Sequence, residues 1–105
     1  MQQPTPHFDK ALLQPTRLAI VAYLVACGGE ASFAQVRAAA RGPSHSLWAH
    51  TEVLTNAGFI EVRKHIDGRQ VSTTLILTKL GHQAFAALAA SVAQRPNPDV
   101  VRRTT

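Results

Sequence analysis

The sequence predicts a mainly α-helical fold that contains one β-hairpin. Apolar residues recur at three- and four-residue steps in four segments, as they do on the buried face of a helix. Between the third and fourth segments, two runs rich in β-branched residues flank Asp67-Gly68, a strong signal for a two-residue hairpin turn. The 105 residues are enough for one domain with a modest hydrophobic core.

The first predicted helix has Pro15 in its first turn and ends at Gly28-Gly29. Proline suits a first helical turn because its missing N–H has no helical partner to lose there. Glycine suits the other end because it readily takes the left-handed conformation of C-terminal caps. Between these two signals an apolar face runs from Leu18 to Ala26.

The second predicted helix is short and covers about residues 33–40. Ser32 and Gln35 have the capping-box spacing, in which each side chain bonds to the backbone N–H of the other residue. A very short strand is expected just before it, at residues 30–31, and the sequence RGP at 41–43 ends it.

The third predicted helix extends from Ser44 through Asn56, and its inward stripe consists of Leu47, Thr51 and Leu54. A helix with one buried stripe leaves its opposite face free for a partner.

The hairpin strands are predicted at residues 59–66 and 70–77. In the first strand Ile60, Val62 and Ile66 alternate with charged residues, so the three apolar side chains share one face. This alternation is typical of a half-buried strand.

The last predicted helix follows Thr78 and ends near Gln94. Its stripe of Phe85, Leu88 and Val92 has little core left to cover in so small a domain. We therefore expect a homodimer in which a second subunit buries these three residues. The alternative is that this helix packs only on the first helix.

The domain is predicted at residues 8–94. Outside it, residues 1–7 and 95–105 contain prolines and no periodicity, which predicts a disordered tail at each end, the second of them basic.

No apolar run is long enough for a membrane span, and the first residues do not resemble a signal peptide. A single cysteine, Cys27, cannot form an internal disulfide, so we expect a cytoplasmic protein.

Lys and Arg outnumber Asp and Glu by 11 to 6, and the net charge of +5 favours nucleic acid as the partner.

Two short helices joined by a tight turn and followed by a hairpin form the layout of a winged helix-turn-helix. Four segments sharpen this interpretation: PTRLAI at 15–20, LWAHT at 47–51, NAGFI at 56–60 and LTKLG at 77–81. In this order and spacing the chain resembles the small MarR/ArsR-like winged-helix transcriptional regulators of prokaryotes. The resemblance implies a homodimer formed by terminal helices, with two recognition helices in successive major grooves of double-stranded DNA.

The third helix departs from the family pattern, because its outer face carries no Lys or Arg and its one formal charge, Glu52, is negative. We expect base contacts in which Glu52 accepts from a cytosine amino group and Trp48 and Ala49 touch a thymine methyl. The candidate DNA-contacting residues of this helix are Ser44, His45, Ser46, Trp48, Ala49 and Glu52, with Asn56 on the same face.

The affinity for DNA is then expected to come from cations elsewhere in the chain. Arg63, Lys64 and Arg69 of the hairpin are candidates to hold phosphates, and Arg69 beside the predicted turn is placed to reach the minor groove. Arg37 and Arg41 at the end of the second helix are further candidates.

Three alternatives stay open. Trp48 could anchor a protein or small-ligand partner in a module that binds DNA weakly or not at all. Its indole could instead fold back on its own domain. A small-molecule effector could also lodge between the terminal helices.

Other chemistry is not indicated. Cys27 ends an apolar helix with no basic neighbour, which predicts a buried structural thiol. His45 and His50 are five residues apart and cannot chelate one metal together, so we expect neither a metal nor another cofactor. His50 is interpreted as partly buried and structural. No phosphate-binding glycine loop or nucleophile with a matching base is present, so no enzyme is expected.

Overall fold

The computed structural model describes residues 10–40 and 44–94, and the side chains of residues 10–40 and 46–93. A 3₁₀ turn at Lys10–Leu13 precedes the helices and strands of this part of the chain. Their bounds are Pro15–Ala26 for α1, Glu30–Ser32 for β1, Phe33–Ala40 for α2, Ser44–Asn56 for α3, Ile60–Asp67 for β2, Gln70–Leu77 for β3 and Lys79–Gln94 for α4. The two predicted tails lie outside the described residues.

The end signals Pro15 and Gly28-Gly29 lie at the ends of α1 as predicted, and Gln14 adds an N-cap that was not predicted. Pro15 is its first residue, and the side chain of Gln14 accepts a hydrogen bond from the backbone N–H of Arg17 at 2.9 Å. At the other end Gly29 donates its N–H to the carbonyl oxygen of Leu24 at 2.8 Å. Gly28 has a φ of 81°, a left-handed conformation that glycine takes without steric cost.

Cys27 is exposed, so the prediction of a buried thiol was wrong. The helix ends at Ala26, and the chain then turns back so that Gly29 is buried while Cys27 lies on the outside of the turn. Hydrogen bonding with Cys27 raises the pKa of the Tyr23 hydroxyl above its ordinary value, because the bond favours the protonated phenol.

The predicted capping box connects β1 to α2. The hydroxyl of Ser32 accepts from the N–H of Gln35 at 3.0 Å, and the side-chain oxygen of Gln35 accepts from the N–H of Ser32 at 2.9 Å. The helix therefore starts directly after the strand, which fixes the direction in which α2 leaves the sheet.

The three strands form one antiparallel sheet in the order β1, β3, β2. Pairing of β2 with β3 runs without interruption from Ile60 opposite Leu77 to Asp67 opposite Gln70. The two-residue turn is therefore Gly68-Arg69, one residue later than the sequence signal suggested. Gly68 has a φ of 63°, as the turns of tight hairpins require.

The core lies where the four helices and the sheet meet. Each of its large aliphatic side chains contributes roughly 1.5–3 kcal/mol through removal from water. The fully buried residues are Leu12, Ile20, Val21, Leu24, Val36, Leu47, Thr51, Leu54, Ile60 and Leu75.

The predicted stripe of α3 is confirmed, since Leu47, Thr51 and Leu54 are all fully buried. Thr51 brings a hydroxyl into this apolar surrounding and donates it to the carbonyl oxygen of Leu47 at 3.0 Å. The polar atom is thus satisfied without weakening the contact between α3 and the core.

A tight junction fixes α4 against the loop between α3 and β2. The hydroxyl of Thr78 donates to the carbonyl oxygen of Gly58 at 2.6 Å and accepts from the N–H of Gly81 at 3.0 Å. Gly81 lies directly against the backbone of Phe59, and a Cβ atom there would collide with the Phe59 carbonyl oxygen. Only glycine fits at this position without displacing the helix.

We expect Gly81→Ala to lower the free energy of unfolding by about 1–3 kcal/mol, because the added methyl forces α4 away from the Phe59 backbone. Urea denaturation followed by circular dichroism measures the change. Gln83→Ala, at an exposed position of the same helix, is the control and should stay within about 0.5 kcal/mol of the natural chain. If Gly81→Ala and the control have the same urea denaturation midpoint, the close approach of Gly81 to the Phe59 backbone is contradicted.

Candidate nucleic-acid interface

The outer face of α3 is open to solvent. Ala49, Glu52 and Asn56 are exposed, on the side of the helix away from its buried stripe. In the described part of the chain the Glu52 carboxylate has no ion-pair partner. This face therefore offers a small apolar side chain, an acceptor and an amide to whatever approaches it.

Trp48 is half-buried because it packs against α2. Its ring and that of Phe33 form an edge-to-face pair, with centroids 5.5 Å apart and planes at 71°. The alternative that the indole folds back on its own domain therefore holds for the side of the ring that contacts Phe33. Edge-to-face pairs of this kind add about 0.5–1.5 kcal/mol beyond area burial, so Trp48 helps to hold α2 and α3 together.

The remaining surface of Trp48 borders a groove of about 220 Å³ between α3 and the hairpin. Lys64 lines it because it shares a strand face with Val62, which packs towards the core. An ammonium group is thereby brought to the same groove as the carboxylate of Glu52. The residues that line the groove are Trp48, Thr51, Glu52, Thr55, Asn56, Val62 and Lys64.

The other two hairpin cations lie differently. Arg63 is next to Lys64 in sequence and so occupies the opposite face of the hairpin, where it pairs with Glu61 at 3.6 Å. With exposed fractions of 70% and 58%, the two side chains form a bridge that adds little stability and leaves Arg63 free to exchange partners. Arg69 is exposed in the turn itself. The three cations thus surround the hairpin and do not share one face.

The first turn of α3 is only partly described. Ser44 begins the helix as predicted, and Ser46 is half-buried, whereas the side chains of Ser44 and His45 lie outside the description. Arg41 falls outside the described residues altogether. Arg37 is exposed on α2 and lines a second groove of about 300 Å³ between α2 and β3.

Arg17 is a positioning residue that the sequence reasoning missed. Its guanidinium lies 3.2 Å from Nδ1 of His50 and donates through Nε to the carbonyl oxygen of Ala11 at 2.6 Å. A guanidinium can only donate, so Nδ1 of His50 accepts. The bond ties α1 to α3 and agrees with the partly buried, structural role predicted for His50.

The terminal helices form an apolar groove of about 650 Å³. Leu88 already lies in the domain core, with 9% of its surface exposed, and Phe85 is half-buried against the same core. Val92 and Leu13 are by contrast 64% and 52% exposed. The predicted stripe is therefore shared between the domain's own core and an open surface. The residues that line the groove are Leu13, Leu18, Ala22, Phe85, Leu88, Ala89, Val92 and Ala93.

Across residues 10–40 and 44–94, no group of three or more His, Cys, Asp or Glu side chains is arranged to hold a metal ion. In the same ranges, no helix has the length and apolar character needed to cross a membrane.

Residues 16–95 match a family described as winged helix DNA-binding domain. A regulator homologue from Pyrococcus horikoshii OT3 shares 25% identity, with a TM-score of 0.68 over 81% of this chain and 87% of that one. A possible transcriptional regulator for arsenical resistance shares 26% identity, with a TM-score of 0.61 over 91% and 94%. The transcriptional repressor BigR from Xylella fastidiosa shares 25% identity, with a TM-score of 0.61 over 84% and 83%. No curated protein matched the chain. The matches confirm the predicted winged helix-turn-helix fold.

Proposed function

The chain belongs to the winged helix DNA-binding domain family, and we propose that it is a sequence-specific transcriptional regulator that binds double-stranded DNA as a homodimer. The family and the similar structures are regulators and not enzymes. The observation that carries the proposal is the solvent-open face of α3 beside a hairpin with three cations, in a chain of net charge +5.

In the proposed complex α3 enters the major groove and reads base edges. Glu52 is exposed and has no ion-pair partner within the described chain, so its carboxylate is available to accept from a cytosine amino group. Ala49 beside it is small enough to meet a thymine methyl. We propose that Ser44, His45 and Ser46 also contact the DNA, because the first residues of a recognition helix are the ones that approach the groove.

The hairpin supplies the affinity that α3 lacks. Lys64 on the α3 side and Arg69 in the turn are exposed and without an ion pair in the described residues, so both can hold phosphates. Arg63 on the opposite hairpin face reaches a phosphate by exchanging its weak bridge to Glu61. With roughly 3–5 phosphates per subunit, a dimer should have a log–log salt slope on the order of −5 to −9.

The terminal helices are proposed to form the dimer interface. Leu13 and Val92 expose apolar surface at the edges of the groove between α1 and α4, and a second copy of the same groove would cover it. Phe85 and Leu88 would form its floor.

A small-molecule effector is a second candidate for this groove. Its volume of about 650 Å³ falls within the range of ligand pockets, about 300–1,000 Å³, and its lining is apolar. An apolar fluorescent dye that enters the dimer and changes its DNA affinity would favour this candidate.

The proposal is tested first by selection from random duplexes about two helical turns long, the span of two half-sites. The enriched sequence (the selected duplex) is then titrated beside a scrambled one, with anisotropy and the emission of Trp48, the single tryptophan, as readouts. Tighter binding to the selected duplex with a steep salt slope supports a sequence-specific regulator. Equal binding that disappears at physiological salt would refute sequence-specific DNA recognition.

Arg69→Ala should weaken binding to the selected and scrambled duplexes alike, because a phosphate contact carries no sequence information. The salt slope of a dimer should become shallower by about 2, one phosphate per subunit. Lys79→Ala, which removes one exposed cation from the start of α4, is the charge-matched control and should leave the slope unchanged. An unaltered slope for Arg69→Ala would remove the turn from the interface.

Glu52→Gln should change which base pair is preferred at one position of each half-site, by about 1–3 kcal/mol. Competition between the selected duplex and its single base-pair variants measures this preference. Glu30→Gln, at an exposed acid on β1, makes the same charge change away from α3 and should keep the original preference. If both variants bind more tightly with no change of preference, Glu52 reads no base.

Val92→Asp should convert the dimer into monomers, because it places a charge in the apolar contact between copies. Sedimentation equilibrium measures the mass. Ala90→Asp, on an exposed part of α4 outside the groove, is the control and should remain dimeric. A natural chain that sediments as a monomer would refute this part of the proposal.

A further inference from the structure

Two large aliphatic side chains are exposed side by side near the tip of the hairpin. Ile66 on β2 is 70% exposed and Val71 on β3 is 61% exposed. The register places them directly opposite each other, and one further pair, Asp67 with Gln70, separates them from the turn. Paired residues have Cβ atoms about 5 Å apart, so the two side chains form one continuous apolar surface (the wing-tip pair).

The wing-tip pair occupies the strand face that elsewhere packs against the core. Counting back in steps of two from Ile66, the same face carries Lys64, then half-buried Val62 and buried Ile60. Near the turn this alternation continues past the buried core, although Val71 still borders the groove between α2 and β3. As a directly opposed cross-strand pair the two side chains stabilise the hairpin slightly, but most of their surface stays in water and is open to a contact from outside the domain.

The surroundings of the pair favour a polyanion as that contact. Lys64 lies two residues before Ile66 on the same face, and Arg69 lies in the turn between the strands. Val71 also borders the groove that Arg37 lines. Asp67 adds one negative charge, but it lies on the opposite face by alternation.

The size of the pair argues against a protein partner. A stable protein interface needs about 800 Å² and 20–30 residues on each side, whereas this patch consists of two side chains at a narrow tip. A nucleic acid groove offers a match of the right scale, because its walls expose the C–H surface of the sugars beside the phosphates.

We propose that Ile66 and Val71 pack against the deoxyribose walls of the DNA minor groove and so act as an apolar element of the interface. This inference rests on the proposed function and deepens it. Aliphatic side chains are known to insert into minor grooves. Lys64 and Arg69 hold phosphates on either side of the pair, and the pair contributes affinity by removing apolar surface from water.

An apolar contact releases no counterions, so its contribution is independent of salt. The contribution of Arg69 to DNA affinity differs, because it diminishes as the salt concentration rises. Salt dependence therefore separates the two contributions even though the residues are close in sequence.

The test replaces both residues in the double variant Ile66→Thr/Val71→Thr, since threonine keeps the preference for strand structure. Affinity for the selected duplex should fall about tenfold at every salt concentration, with the slope unchanged. Hydroxyl-radical footprinting should show that sugars protected by the natural chain become accessible. Leu80→Gln removes an exposed aliphatic side chain from α4, 49% exposed, and should alter neither readout.

Circular dichroism and sedimentation on each variant check the fold and the assembly. If the natural chain binds the selected duplex and the folded double variant binds equally well, the inference is overturned and the proposed function stands. A lower mass for the double variant would instead make the pair a contact between copies. A shallower salt slope would mean that the substitution displaced the cations, and it too would overturn the inference. If selection yields no preferred duplex, the proposed function itself fails.

Discussion

The burial of one stripe on α3 determines what the rest of the domain can do. Leu47, Thr51 and Leu54 fix this helix on the core, so its orientation about its own axis is set. Glu52 and Asn56 must then point outwards, together with Ala49. Two contacts from neighbouring helices reinforce the orientation: the edge-to-face pair of Phe33 and Trp48, and the hydrogen bond from the guanidinium of Arg17 to His50. A helix held in this way can present its outer face without reorganising.

Within the candidate interface, charges of opposite sign lie on two neighbouring elements. The outer face of α3 carries the carboxylate of Glu52, whereas Arg63, Lys64 and Arg69 lie on the hairpin beside it. In the function proposed for this chain, such a division separates selectivity from affinity. A carboxylate in a major groove is favourable only opposite a donor, so it penalises wrong bases, whereas phosphate contacts stabilise every sequence alike. Lys64 is close to both elements, because it lines the same groove as Glu52.

A domain of 105 residues cannot bury all of its apolar side chains. In its described part, Leu13 and Val92 are exposed at the groove between α1 and α4, and Ile66 and Val71 are exposed at the tip of the hairpin. The two places suit different partners. The groove is broad and almost wholly apolar, as befits another copy of the chain or a small ligand. The tip is narrow and bordered by cations, which suits DNA.

Local signals in the chain specify the order of the elements and most of their ends. Pro15, the capping box of Ser32 and Gln35, and the left-handed glycines act through local backbone geometry, which depends on neighbours in the chain. The buried stripe of α3 could be predicted equally well, because helical periodicity alone specifies it. The resemblance carried by short segments such as LTKLG also gave the fold, and the junction at Gly81 shows why glycine is needed there.

Long-range packing determines which of the predicted apolar faces are covered. Alternation placed Ile66 on the same face as Ile60 and Val62, yet Ile60 and Val62 lie in or against the core whereas Ile66 is 70% exposed. Leu88 entered the core while Val92 of the same stripe stayed outside, and Cys27 was left on the outer side of a turn. The bond from Arg17 to His50 had no signal in the sequence, since it joins residues 33 positions apart. Periodicity specifies the face on which a side chain lies, but burial depends on what other parts of the chain bring to that face.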